Sequence, residues 1–334
     1  MAERLRNFRA LYAQRRDGGY SVAFRDLTAA DLPEKGDVLI RVAYSSLNYK
    51  DGLAITARGK IIREFPIVPG IDLAGEVVES RTPHFAPGDR VLAIGQGLGE
   101  IDWGGYSQMA RVRADWVTKI PPPFTPETAM ALGTAGFTAM LCVMGLEHQG
   151  VVPDSGPVFV TGAGGGVGSI AVLLLARLGY RVVAITGRPE VHDYLRGLGA
   201  AEFADRQAFE TPGPALQPQR FAGGVDNVGG TILANLIAQT RYEGAVAACG
   251  MAHDTDLAVS IFPFILRNVA LLGTSSSNTR EPKRSHCWDR LARDTDLAML
   301  RRIYRIEPLS RLPELAEDIM AGRIRGRVVV DVNA

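Results

Sequence analysis

Residues 158–169 read Val-Phe-Val-Thr-Gly-Ala-Gly-Gly-Gly-Val-Gly-Ser, a β-branched and aromatic run that breaks into glycines and opens a long apolar stretch. Residues 158–161 suit a buried strand. Gly162, Gly164, Gly165, Gly166 and Gly168 permit a tight turn with close backbone approach, and the helix that follows offers unpaired N–H groups to a pyrophosphate. The spacing is G-x-x-G-x-x-G at 162, 165 and 168 rather than strict G-x-G-x-x-G; taken alone, its alternative reading is a flexible connection between strand and helix. Residues 170–178 are apolar nearly all round, as suits a helix packed on a sheet, and Gly179 ends it. Residues 181–186 read as the next buried parallel strand, completing a βαβ unit of about 30 residues. That strand ends in Thr186-Gly187-Arg188, about 20 residues beyond the glycines, where an NAD-binding unit places an acid on the ribose 2′-hydroxyl. A cation beside a hydroxyl suits a 2′-phosphate, so the expected cofactor is NADPH; the alternative is a solvated Arg188 ahead of Pro189.

The remaining organisation follows from changes of period. Before residue 120, short β-type runs at 38–43, 75–79, 90–94 and 106–112 are separated by Gly, Pro and Asp turns, predicting a small β-rich domain. The proline-rich segment 120–127 marks a boundary, with Thr125 and Pro126 as N-cap and first residue of a helix through 129–146. Strand signals then recur near 202–204, 225–228, 245–249 and 269–272, predicting a six-stranded, doubly wound parallel sheet of Rossmann type in the order 3-2-1-4-5-6. A polar loop spans 275–282, residues 283–323 read as helical, and the apolar strand at 326–332 has no place in a filled six-strand sheet. It is expected to return to the first domain, which then comprises 1–125 and 275–334, with 126–274 as the nucleotide-binding domain.

At 334 residues, 46% hydrophobic and 22% charged, the chain has room for two ordinary globular cores. A net charge of +1 without long like-charge blocks gives no footprint for nucleic acid or an anionic membrane. The apolar run expected to be longest, 170–176, is too short to span a bilayer, and the opening Met-Ala-Glu-Arg-Leu-Arg lacks a signal peptide's apolar region, so the expected location is cytoplasmic. Cys142, Cys249 and Cys287 are widely spaced, arguing for small apolar side chains rather than disulfides or a zinc cluster.

Further segments carry a family resemblance. Ser45-Ser-Leu-Asn48-Tyr49-Lys50-Asp51, Pro69-Gly-Ile-Asp72-Leu-Ala-Gly75, Trp103-Gly-Gly-Tyr106, Gly133-Thr-Ala-Gly-Phe-Thr138 and Phe262-Pro-Phe-Ile-Leu-Arg-Asn268 resemble the medium-chain dehydrogenase/reductase superfamily. Within it they are similar to the bacterial quinone oxidoreductase-like branch that includes NADPH-dependent acrylyl-CoA reductases. The resemblance implies a GroES-like catalytic domain beside the Rossmann domain. Zinc-dependent members carry cysteine where this chain has Asn48 and histidine where it has Ile71, and a structural zinc lobe of four cysteines. Asp72 alone cannot hold zinc, and His192, His253 and His286 form no ligand pair, so no metal is expected.

The resemblance further implies an NADPH site using Tyr49 at the nicotinamide ribose, Gly164, Gly165, Gly166, Val167, Gly168 and Ser169 at the pyrophosphate, and Thr186, Gly187, Arg188 and Arg206 at the 2′-phosphate. Met251, Ile265 and Ser276 match positions along the nicotinamide half. Cys249-Gly250-Met251 closes a strand, as such a site requires, whereas packing in the core is an alternative for Ile265. Gly322 stands where relatives carry an amide side chain. The implied reaction is hydride addition to an activated alkene, with Tyr49 or a water as proton source and Asn48 and Asp72 positioning; the alternatives for these residues are a turn, a hold on Lys50 or backbone amides, and packing. Coenzyme A phosphates would need basic residues, for which Arg58, Lys60 and Arg63 or Arg280, Lys283 and Arg284 stand as candidates beside the alternative of a solvated face. A quinone or enone reductase without coenzyme A preference and a non-catalytic NADPH-binding protein are the competing functions. Relatives commonly pair edge strands, making 269–272 the expected homodimer surface.

Overall fold

The computed structural model describes residues 7–16 and 19–334; the opening hexapeptide discussed above lies outside them. Two compact units divide the chain. The first runs to Thr134 and includes Ser277–Ser285 and Tyr304–Ala334; the second comprises Ala135–Ser276 and His286–Ile303.

In the first unit, β1 (Phe8–Arg16) and β2 (Gly19–Leu27) form a hairpin that the runs of Arg and apolar residues did not announce. Strand β3 (Val38–Leu47) leads directly into α1 (Tyr49–Ile55), followed by β4 (Asp72–Ser80), β5 (Arg90–Ile94), β6 (Met109–Val112) and β7 (Val117–Lys119). Helix α2 (Pro126–His148) begins at the expected proline, with Thr125 Oγ1 accepting from Thr128 N, but it breaks at Gly133, whose φ of 50° and ψ of −152° are not helical. This helix also corrects the expectation about apolar length: it is long and apolar enough to cross a membrane. Of its most apolar 18-residue window, 83% is buried within the protein, as in a core helix.

The second unit holds β8 (Val158–Thr161), α3 (Gly166–Arg177), β9 (Val182–Thr186), α4 (His192–Gly197), β10 (Glu202–Asp205), β11 (Phe221–Asp226), α5 (Gly230–Ala238), β12 (Thr240–Ala248), α6 (Phe262–Arg267) and β13 (Ala270–Gly273). Its six-stranded sheet runs β10-β9-β8-β11-β12-β13, all parallel, the expected doubly wound order. Strand β8 lies fully buried at the reversal of strand order, and Phe159, Phe221, Ile232 and Leu236 fill the core beside it.

After α7 (Lys283–Asp294) and α8 (Leu297–Leu300), the chain forms β14 (Tyr304–Pro308), α9 (Leu312–Met320) and β15 (Arg327–Asp331). The strand β14 corrects the reading of 283–323 as helical throughout. Its five residues pair in parallel with β15 from Tyr304 opposite Arg327 to Pro308 opposite Asp331, a partner that local periodicity cannot reveal. Residues 286–303, expected with the first domain, group with the second unit: Trp288 packs on Phe137, and Arg290 binds Glu147 through both terminal nitrogens. The closing strand β15 enters the first unit's sheet, ordered β14-β15-β3-β4-β5-β7 with β6 also on β3.

Candidate active site

Strand register assembles a polar cluster in the first unit. Val328 lies opposite Leu47 and Leu73 opposite Ser45, so the end of β3 and the starts of β4 and β15 meet at one edge region, bringing Asn48, Asp72 and Arg327 together. Asn48 is the N-cap of α1, its N–H donating to Asp51 Oδ2 at 2.9 Å, as the turn alternative anticipates. Its amide nitrogen also donates to Asp51 Oδ2 at 3.1 Å and Asp72 Oδ2 at 2.9 Å, which uses both amide hydrogens. Asp72 is wholly buried, and its carboxylate accepts from Ser46 Oγ at 2.6 Å and from Thr134 N and Oγ1 at 2.9 and 2.5 Å. It does not hold Lys50, which pairs with Glu100.

The break in α2 makes room for this carboxylate. A Cβ on Gly133 would stand 2.5 Å from Asp72 Oδ2 and 2.9 Å from Arg327 Nη2, and its φ is positive, so glycine is required there. Burial, reinforced by the Asp72 charge, raises the Asp51 carboxyl from 3.8 to about 7 against hydrogen bonds from Asn48 and Ile71. Burial lowers the Arg327 guanidinium, while Asp72 and Asp51 act to keep it charged. The buried Tyr106 hydroxyl donates to the Ser46 carbonyl. Tyr49, next to Asn48, is by contrast 45% exposed. Sequence reasoning named Asn48, Tyr49 and Asp72 but missed Asp51 as their buried neighbour and Arg327; the only local signal of the latter is a charge opening an apolar strand.

In the second unit the glycine loop is a preformed cradle. Ser169 N makes the first helical bond of α3, to Gly165 O, so the N–H groups of Gly166, Val167 and Gly168 stand ahead of the intrahelical ladder. Ser169 Oγ is spent on the Ala163 carbonyl at 3.1 Å, and a Cβ on Gly168 would collide with the Gly162 carbonyl oxygen. Arg188 borders this loop and Arg206 the turn after β9: a Cβ on Gly164 would lie 2.8 Å from Arg188 Nη2, and one on Gly187 3.4 Å from Arg206 Cζ. Arg188 N donates to Thr186 Oγ1, whereas Arg206 is exposed and paired with Glu210 at 2.7 Å. Backbone donors under one end and two guanidinium groups at the other fit a dinucleotide bearing a 2′-phosphate.

Ends of the neighbouring strands complete this unit's face. Buried Asp226 accepts from Thr161 Oγ1 at 2.8 Å and from Gly229 N, and Asn227 Nδ2 donates to the Thr161 carbonyl, tying β11 to β8; neither residue was foreseen. Met251 is 66% and Ile265 65% exposed, which removes the core-packing alternative for Ile265. Ser276 accepts from, or donates to, Thr138 at 2.9 Å. Gly322, in the first unit, is exposed with nothing within 4 Å of a Cβ. Of the basic candidates for coenzyme A, Arg58 pairs with Glu317 and Arg63 with Glu100 on the surface; Lys60, Arg280 and Lys283 are exposed. Arg284 is buried against Glu281 and the Asp115 carbonyl, so it is not presented to a ligand. Among the described residues, no group of three or more His, Cys, Asp or Glu side chains is placed to hold a metal ion.

Comparison with known proteins agrees with this architecture. Residues 34–122 match the alcohol dehydrogenase GroES-like domain family, and residues 166–293 the zinc-binding dehydrogenase family. The chain is 48% identical over 318 residues to the acrylyl-CoA reductase AcuI of Ruegeria pomeroyi, covering 95% of this chain and 96% of that protein. It is 44% identical over 325 residues to the putative quinone oxidoreductase YhfP of Bacillus subtilis, covering 97% and 98%; the solved structure of YhfP, with NAD bound, superposes with a TM-score of 0.94. The Escherichia coli YhdH structure with bound NADPH also gives a TM-score of 0.94, at 47% identity over 97% of this chain and 100% of that one. With its GroES-like unit, parallel dinucleotide-binding sheet and full-length relatives, the chain belongs to the medium-chain dehydrogenase/reductase superfamily, in its quinone oxidoreductase-like branch of oxidoreductases.

Proposed function

We propose that this chain catalyses the NADPH-dependent reduction of the activated C=C bond of a short α,β-unsaturated acyl-CoA, with acrylyl-CoA giving propionyl-CoA. The observation that carries the reading is similarity to an acrylyl-CoA reductase through 95% of this chain. Arg188 and Arg206 support the choice of NADPH, since Arg188 brings its guanidinium to the glycine loop and Arg206 brings one to the turn that follows β9. NADPH, when bound, supplies the hydride that adds to the alkene β-carbon. The chain's own residues bind, orient and protonate. The N–H groups of Gly166, Val167 and Gly168 would hold the pyrophosphate, and Met251, Ile265 and Ser276 would line the nicotinamide half. Tyr49 is assigned to the substrate because, of the first unit's polar cluster, it is the exposed member; its phenol or a water held by it delivers the proton to the α-carbon. Asn48 and Asp72 position rather than donate, because their hydrogen-bonding groups are already engaged with one another and with Ser46, Asp51 and Thr134. No step in this scheme uses a metal, since Asn48 and the aliphatic Ile71 stand at the ligand positions.

Similarity to YhfP favours one second reading, a quinone or enone reductase without coenzyme A preference. Under identical NADPH conditions, kcat/KM for acrylyl-CoA should exceed that for a simple quinone or free enone. It should also fall when the carrier is cut to a short thioester, because remote binding energy is needed to orient so small an acyl group. Equal values would transfer the assignment to the second reading.

The same reading includes a cytoplasmic homodimer. Strand β13 ends the second unit's sheet, and Leu271 on it, with Ile261, Phe262, Ile265 and Leu266 around α6, is between 36% and 65% exposed. Sedimentation equilibrium showing a monomer at micromolar concentration would remove this part.

A further inference from the structure

We propose that Arg327 is a positioning residue of this reaction: its guanidinium plugs the break in α2, fixes the carboxamide of Asn48, and through it fixes the first turn of α1, which carries Tyr49. The inference rests on the assignment of Tyr49 to the substrate. In an unbroken helix Met130 O would accept from Thr134 N. Here Thr134 N donates to Asp72 Oδ2 at 2.9 Å, and the carbonyls of Met130 and Ala131 face Arg327 Nη2 and Nε at 3.5 and 3.1 Å. A carboxylate has taken the freed donor and a guanidinium the freed acceptors.

The remaining donors of Arg327 reach the start of α1. Nη1 donates to the Leu47 carbonyl at 2.9 Å and to Asn48 Oδ1 at 3.1 Å, and Nη2 to Ser46 Oγ at 2.8 Å. All five N–H groups of the guanidinium are therefore used, and the side chain is 3% exposed. Ser46 Oγ in turn donates a hydrogen bond to Asp72 Oδ2, bridging two charges that stand 3.8 Å apart. The contact to Asn48 Oδ1 decides which way that amide faces: with oxygen toward Arg327, both amide hydrogens point to Asp51 and Asp72. Without it the carboxamide loses its contact with a charged donor, the cap loosens, and Tyr49 loses its preset direction. Lysine would keep the charge but offer three donors on a flexible stem in place of a planar fork.

Two full-length variants test this, Arg327→Lys and the pair Asp72→Asn/Arg327→Met, which removes both members of the buried ion pair together. In both, kcat with acrylyl-CoA should fall at least about 10-fold while KM and the NADPH Kd stay within about threefold, the pattern of misplaced chemistry rather than lost binding. Hydrogen exchange across Tyr49–Ile55 should quicken at least about 10-fold, with β8 and α3 exchanging as in the unmodified chain and so reporting an intact second unit. A folded variant with unaltered kcat or unaltered α1 exchange would overturn the proposal. If acrylyl-CoA proves not to be a substrate, the exchange measurement still decides the positioning role. If neither Arg327 variant folds, Asn48→Ala, which leaves Arg327 and Asp72 in place, must reproduce the quickened α1 exchange; protection equal to that of the unmodified chain would likewise overturn it.

Discussion

Raising the pH from 5 to 8 should weaken the first unit through one buried acid. Asp51 is 1% exposed, and its carboxyl is pushed from 3.8 to about 7 by burial and by the charge of Asp72. Between those values the native state keeps a proton that the unfolded chain has released, so stability falls as pH rises, by about 1.4 kcal/mol per pH unit. The full effect is about 4 kcal/mol, of which about 2 kcal/mol lies between pH 5 and 7; above about 7 it levels off. Asp226, raised by burial, acts in the same direction in the second unit. Asp31, Asp89, Glu281, Asp294 and Glu307 are held below their ordinary values and act in the opposite sense, but in more acid solution. The perturbation is Asp51→Asn, which removes the titration. It also sets an amide N–H against Ile71 N, now bound to Asp51 Oδ1 at 3.0 Å, at a cost of about 1–3 kcal/mol that does not vary with pH. Urea unfolding of both proteins at several pH values, each carrying Trp288→Phe so that the fluorescence comes from Trp103 and Trp116 alone, reports the difference in the first unit. The stability advantage of the unmodified chain should shrink by about 2 kcal/mol from pH 5 to 7. A difference that stays constant across that range would refute a protonated interior Asp51.

Arg188→Ala should narrow the preference for NADPH over NADH by about 10- to 150-fold, mainly through weaker NADPH binding, as loss of a charge-assisted contact worth about 1.5–3 kcal/mol requires; isothermal titration with both cofactors measures it, and an unchanged ratio would sink the 2′-phosphate assignment. Elemental analysis should find no stoichiometric zinc and prolonged chelation should leave activity intact, because Ile71 and Asn48 offer no ligand set with Asp72; about one zinc per chain with activity lost on its removal would contradict this.

The parts of this molecule that were legible in the chain are those specified locally. Strand β8, the glycine loop and β9 lie within 158–188, where β-branched runs and glycines dictate each step, and Thr186-Gly187-Arg188 sits where the turn brings it to the loop. What was missed depends on partners distant in sequence. Strand β14 is a strand because β15 lies beside it, and its own residues are half exposed. Arg327 meets Asn48 across 279 positions, through a register that no local pattern encodes. Gly133 was a readable exception: a glycine inside a helical pattern flags a break, although the buried carboxylate that needs the space is visible only in the fold.

The central claim is hydride transfer from NADPH to the β-carbon of an enoyl-CoA, and isotope placement tests it most directly. Acrylyl-CoA incubated with the enzyme and NADPH deuterated at the transferred C4 position should yield propionyl-CoA carrying one deuterium at the β-carbon; with unlabelled NADPH in D₂O, one deuterium should appear at the α-carbon instead. Recovery of unreacted acrylyl-CoA while the same labelled NADPH is oxidised by a quinone would contradict the account.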